Sequence, residues 1–333
     1  MPERSGDMGK IAFVFSGQGA QHVGMGQDFY QNFDSVKKLY DACEQIRPGT
    51  IAQSFTGDGE NLKQTQNTQP CLYLADLAPA LALQERGIKP DGLAGFSLGE
   101  IPALALGNAY SLEDGFQIAS LRGQAMAKAS ENVNASMMAV VKIPSEQAEE
   151  LAKPYDKIFP VNYNSPMQLV FSGDKEQLTA FSADVKAAKG RGLMLKVSGA
   201  FHSPYMTPAV APFGEALKKF QIQLPEIPVY ANYTAKPYAG QPKELMLSQI
   251  NHPVRWTELI RNMAEDGFDT FIETGVGNTL QKLITQILPE GQAVPGKRAV
   301  RRCPRQGQQR KELCGVSGRE NGDELERQAE NRC

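Results

Sequence analysis

The stretch GFSLGE, residues 95–100, sets Ser97 midway between Gly95 and Gly99 and so matches G-x-S-x-G. A short apolar run, GLAGF over 92–96, leads into it, and helical spacing follows over about 99–106. A strand that reverses into a helix at a single residue strains the backbone there. Side chains on the flanking residues would collide, so both flanks are glycine. The turn lifts the Ser97 hydroxyl to the C-terminal edge of a sheet, beside a helix N-terminus whose amides favour developing negative charge. The chemistry that suits such a serine is nucleophilic acyl transfer.

A serine nucleophile needs a base, and the chain has three histidines, His22, His202 and His252. His252 precedes Pro253 and reads as a turn residue at a helix start. His22 lies in the Gly-rich GQGAQHVGMG. His202, in SGAFHSPYM, falls between an expected strand end and a helix, where open sheets build their sites. His202 is therefore the favoured base. Oxyanion donors are expected from the turn SGQGAQ after the first strand and from the amide of Leu98. That turn fits neither G-x-x-x-x-G-K-[ST] nor G-x-G-x-x-G, so a phosphate loop is disfavoured.

The elements that must carry these residues alternate. KIAFVF (10–15) and GLAGF (92–96) read as buried strands, with helices over 28–47, 70–86, 99–106 and 112–131. That alternation predicts a parallel sheet covered on both faces. Over 132–198 the order becomes β-α-β-β-α-β: strands at 137–143, 158–163, 168–173 and 192–199, and helices at 144–153, with Ser145 as N-cap, and 174–190. This is a split βαβ, ferredoxin-like unit inserted into the core. The core resumes with strands at 227–235 and 270–276 and helices near 207–220, 253–266 and 277–288. The expected division is a discontinuous catalytic core (9–131 and 199–290), an inserted unit (132–198) and a disordered tail (291–333). Residues 296–333 hold ten Lys/Arg, six Asp/Glu and no Ile, Phe, Met, Trp or Tyr. Such a segment buries too little apolar surface to offset its ordering entropy.

With 333 residues, 41% hydrophobic, the chain can build a large core. A net charge of −2 provides no basic field for nucleic acid. No apolar run reaches membrane-spanning length, and MPERSGDMGK lacks a signal-peptide core, so a cytoplasmic protein is expected. The five cysteines include no C-x-x-C pair, and reduced, buried thiols are expected.

Seven segments, FVFSGQGAQHVGMG, GFSLGE, SLRGQAM, NYNSPMQLVFSG, GAFHSPYM, INHPVRW and ETGVGNTL, occur in this order over about 9–288. Together they resemble the malonyl-CoA–acyl carrier protein transacylases of bacterial fatty-acid synthesis. The resemblance implies an α/β-hydrolase-like core with a ferredoxin-like subdomain. It implies malonyl transfer from malonyl-CoA to the phosphopantetheine thiol of acyl carrier protein through malonyl-Ser97, with His202 as base and then acid. It implies that the main-chain carbonyl of Gln249 orients His202, that the amides of Gln18 and Leu98 form the oxyanion hole, and that Arg122 grips the malonyl carboxylate. Phe201 resembles the pattern that accompanies malonyl preference. No metal or redox cofactor, no nucleic acid and no membrane is expected, and the chain is expected to act as a monomer. Lys189, Arg191 and Lys196 are candidates for meeting an acidic carrier. The chain departs from many members at Phe96, where they have histidine. The rival readings are an acyltransferase serving a polyketide synthase, a serine esterase with an acidic triad member, and a catalytically silent carrier-binding module.

Overall fold

In a computed structural model of the chain, described over residues 9–197, 199–288 and 299–302, nine strands divide between two sheets. They are β1 (Lys10–Phe15), β2 (Gly92–Gly95), β3 (Ala135–Val141), β4 (Ile158–Ser165), β5 (Gln168–Asp174), β6 (Arg191–Met194), β7 (Val229–Tyr230), β8 (Phe268–Glu273) and β9 (Ala299–Arg302). The first sheet runs β7-β2-β1-β8-β9 with every pairing parallel. The second runs β4-β5-β3-β6 with every pairing antiparallel. The fold class is mixed α/β, as the alternation of elements predicts.

The central strands β1 and β2 are apolar on both faces because helices cover both. Phe13 and Phe15 point into one buried cluster with helix Thr65–Glu85 and helix Leu112–Ala129. Ala12 and Val14 point into another, with Trp256, Leu259, Ile260 and Leu283. A third cluster, including Met138, Val140, Phe171 and Phe181, lies between the antiparallel sheet and its own helices Ser145–Ala152 and Lys175–Ala187. Cys43 and Cys71 are free and buried, and burial pushes both thiols up to about 12.

Several expected boundaries move, each for a local reason. The helix expected over 28–47 is two, Gln27–Asn32 and Asp34–Ile46, broken where Phe33 turns extended. The helix expected to open after Pro70 begins at Thr65 and carries Pro70 and Pro79 inside it, held by burial on nearly every side. Ser145 is not an N-cap: it is the first helical residue after Pro144, and its hydroxyl donates to the Ser165 carbonyl at 3.0 Å. The strand expected over 227–235 ends at Tyr230, because the Ala231 and Ala235 amides close a turn onto Lys236 O and Ala231 O. Helix Pro242–Asn251 was not anticipated, although Pro at its first position and Glu244 in its first turn are start signals. Within the expected tail, Ala299–Arg302 forms a strand parallel to β8 at the edge of the first sheet. The rest of that expectation lies outside the described residues.

Candidate active site

The parallel sheet brings the ends of β1, β2 and β7 to one edge. The Gly-rich turn follows β1, Ser97 follows β2, and Asn232 follows β7. Ser97 has φ +54°, the left-handed region that L-residues avoid, as a one-residue reversal demands. The flanking glycines have a steric reason, but it differs from a clash between neighbouring side chains. A Cβ on Gly95 would sit 1.9 Å from the Gly99 carbonyl carbon, and one on Gly99 would sit 2.4 Å from Phe15 O. The turn is packed directly against β1.

His202 lies within a turn, at φ +60°, and not at a strand end: β6 stops at Met194. Its Nε2 is 2.6 Å from Ser97 Oγ, and its Nδ1 is 2.8 Å from the Gln249 carbonyl oxygen. That carbonyl is available because Gln249 sits in the last turn of helix Pro242–Asn251, where carbonyls have no partner in their own helix. With Nδ1–H donating to it, Nε2 is left as the acceptor for the serine proton. His202 is 3% exposed, and burial first, then the nearby Arg122 cation, lower its pKa to about 4. The ring is therefore neutral near pH 7.

Arg122 is the third member of the cluster. It is 1% exposed and lies on helix Leu112–Ala129. Its Nη1 donates to Gln69 Oε1 at 3.0 Å, and its Nη2 to Gln249 Oε1 at 2.8 Å and to Ser97 Oγ at 3.4 Å. Its Nε has no partner among the described residues. Burial lowers the guanidinium to about 10, which leaves it charged at neutral pH.

Leu98 is fully buried behind the nucleophile, and Gln18 sits in the turn after β1 with Nε2 donating to Thr65 Oγ1 at 3.2 Å. Phe201 is buried in the main apolar cluster beside His202. Phe96 packs edge-on against Trp256, with ring centroids 5.5 Å apart. The other histidines are elsewhere. His22 lines a cleft of about 480 Å³ beside Gly24, Met25 and Val276. His252 caps the end of helix Pro242–Asn251 and stacks near Tyr233.

Four contributors escaped the reading of the sequence. Gln69 holds Arg122, and the Gln249 side chain joins Arg122 to the serine backbone, its Nε2 donating to Ser97 O at 2.8 Å. Asn232 Oδ1 accepts from the Ser97 amide at 2.7 Å, and Glu100 accepts from the Asn232 amide at 2.6 Å. Of these, only Glu100 lies inside one of the recognised segments, GFSLGE.

Residues 12–329 match the acyl transferase domain family. The chain belongs to that family. The match continues past residue 290, beyond the last of the recognisable motifs. Within the acyl transferase domain family the chain is similar to PksC of Bacillus subtilis (strain 168), a polyketide biosynthesis malonyl CoA-acyl carrier protein transacylase, with 37% identity over 86% of this chain and 99% of that protein. It is similar also to the malonyl CoA-acyl carrier protein transacylase of the same organism, at 36% identity over 84% of this chain and 91% of the other. The crystal structure of the malonyl CoA-acyl carrier protein transacylase from Clostridium perfringens superposes with a TM-score of 0.80, at 34% identity, covering 84% of this chain and 90% of that one.

Proposed function

We propose that this acyl transferase moves a malonyl group from malonyl-CoA to the phosphopantetheine thiol of an acyl carrier protein, supplying fatty-acid synthesis. The observation that carries the reading is Arg122, a buried cation whose Nη2 lies 3.4 Å from the Ser97 hydroxyl and whose Nε has no partner among the described residues. A guanidinium in that place suits an acyl group that ends in a carboxylate. The likeness to two malonyl CoA-acyl carrier protein transacylases supports the same substrates.

The proposed steps use the residues gathered at the edge of the parallel sheet. Ser97 Oγ attacks the thioester carbonyl, and its proton passes to His202 Nε2. The tetrahedral oxyanion is met by the amides of Gln18 and Leu98. The C–S bond breaks, the CoA thiolate leaves with the proton from His202, and malonyl-Ser97 remains. In the second half-reaction the carrier thiol gives its proton to His202 and attacks the ester. Ser97 regains the proton as the malonyl thioester forms. Gln249 fixes the imidazole tautomer through its carbonyl, and Phe201 shapes the acyl side of the pocket. In this reading residues 132–198 form a separate lobe on a discontinuous core, and the exposed Lys189, Arg191 and Lys196 at its β6 end face an acidic carrier.

Intact mass after mixing with malonyl-CoA tests this. Wild type gains a malonyl adduct that passes to carrier protein, and Ser97→Ala gains none. An unmodified wild type that transfers nothing would overturn the proposal. The likeness to PksC favours one second reading, a polyketide carrier as recipient, and competition between the two carrier types separates them.

A further inference from the structure

The left-handed conformation of Ser97 is one its own side chain disfavours, so something outside the turn must hold it. Gln249 Nε2 donates to the Ser97 carbonyl at 2.8 Å, and Asn232 meets the turn at two points. Asn232 Oδ1 accepts from the Ser97 amide at 2.7 Å, while its Nδ2 donates to the Gly95 carbonyl at 2.6 Å. One amide group thus spans the turn from both sides, and each end of it has a partner only the correct orientation can satisfy. Parallel register places it there: Leu93 pairs with Val229 and Ala94 with Tyr230, so Asn232 comes level with Phe96.

Asn232 is itself held. Its backbone amide donates to Glu100 Oε2 at 2.6 Å, and Glu100 Oε1 accepts from the Tyr238 hydroxyl at 2.5 Å. Asn232, Glu100 and Tyr238 are 0%, 1% and 7% exposed, so water does not compete for these bonds. We propose that Glu100, Asn232 and Tyr238 form a buried brace in which Asn232 positions the Ser97 nucleophile and Glu100 anchors Asn232. The proposal rests on the acyl-Ser97 reading above.

The brace needs the shape of Glu100 and an acceptor oxygen, not a fixed charge. Burial raises its carboxyl to about 7. In either protonation state one oxygen can accept from the Asn232 amide while the other group meets the tyrosine hydroxyl, which both donates and accepts. Glutamine offers the same pair of contacts. A countercharge for Arg122, the competing role for a buried acid here, would not survive that exchange.

The experiment is single-turnover malonylation of the full chain, followed by intact mass over a range of malonyl-CoA concentrations. Asn232→Ala is expected to lower the saturating rate by about a hundredfold, the cost of a nucleophile misplaced by about 1 Å, with half-saturation within about twofold of wild type. Glu100→Ala falls alongside it, the double variant falls no further, and Glu100→Gln restores most of the rate. Tyr238→Phe, which removes one hydroxyl and leaves the ring in place, lowers the rate at unchanged half-saturation and covers the case in which the alanine variants fail to fold. A malonylated wild type with an equally fast Asn232→Ala, or with folded alanine variants that Glu100→Gln does not improve upon, overturns the brace. So does a Tyr238→Phe variant as fast as wild type. An unmodified wild type overturns the acyl-enzyme reading instead, and the brace as a catalytic device with it.

Discussion

An imidazole in water titrates near 6.5, and the His202 ring is driven down to about 4 by burial and then by Arg122. Two expectations follow at the scale of the residue. The guanidinium penalises the imidazolium, so Arg122→Ala removes one of the two lowering causes and lets the pKa rise. The acid limb of Ser97 acylation by acetyl-CoA, a donor with no carboxylate to grip, should then move to higher pH than in wild type. A limb that stays in place or moves lower would contradict the coupling. The same substitution tests recognition. Charge-assisted hydrogen bonds contribute about 1.5–3 kcal/mol, so Arg122→Ala should reduce the kcat/KM preference for malonyl-CoA over acetyl-CoA by roughly ten- to a hundredfold. Equal losses for both donors would mean that Arg122 does not meet the carboxylate.

At the scale of the element, the nucleophile turn works because β2 ends directly beneath the Gly99 peptide. Gly95→Ala would place a methyl 1.9 Å from backbone that has no side chain to move aside. It should destabilise the fold by at least the 1–3 kcal/mol typical of overpacking, read as a lower urea midpoint. An unshifted midpoint would show that the turn has room. Phe96 has its account at this scale too. It packs on Trp256 of helix Trp256–Glu265 and so fastens the turn to the second apolar cluster. A histidine there would retain an aromatic face for Trp256, which explains how both residues suit the same turn.

At the scale of the molecule, the proposed function assigns the chemistry and the carrier-facing charges to different sheets. Ser97, His202 and Arg122 sit around the edge of the parallel sheet, while Lys189, Arg191 and Lys196 are exposed around β6 of the antiparallel sheet. Reversing those three charges to Glu should raise KM for the carrier by about tenfold, from exposed pairs that each contribute about 0.2–1 kcal/mol. Malonylation by malonyl-CoA alone should be unchanged. A variant slowed equally in both half-reactions would place the carrier elsewhere.

Ser97, its glycines, the alternation of strands and helices and the antiparallel insert were all legible in the chain, because each rests on contacts between near neighbours or on a period of two or 3.6 residues. His202 was favoured by location, and the strand end that recommended it was not there. Helix Pro242–Asn251 was overlooked because Leu245, Met246, Leu247 and Ile250 do not gather on one clear face, and with it went the reason that Gln249 has a carbonyl to offer. Gln69, Asn232 and Tyr238 carry no local signal at all. A buried amide or hydroxyl looks like any surface polar residue until the sheet brings its partner, 135 residues away in the case of Ser97 and Asn232, within 2.7 Å. The local sequence determined that there would be a serine turn. The tertiary structure decided what holds it, because hydrogen bonds between distant residues exist only once β7 has paired with β2.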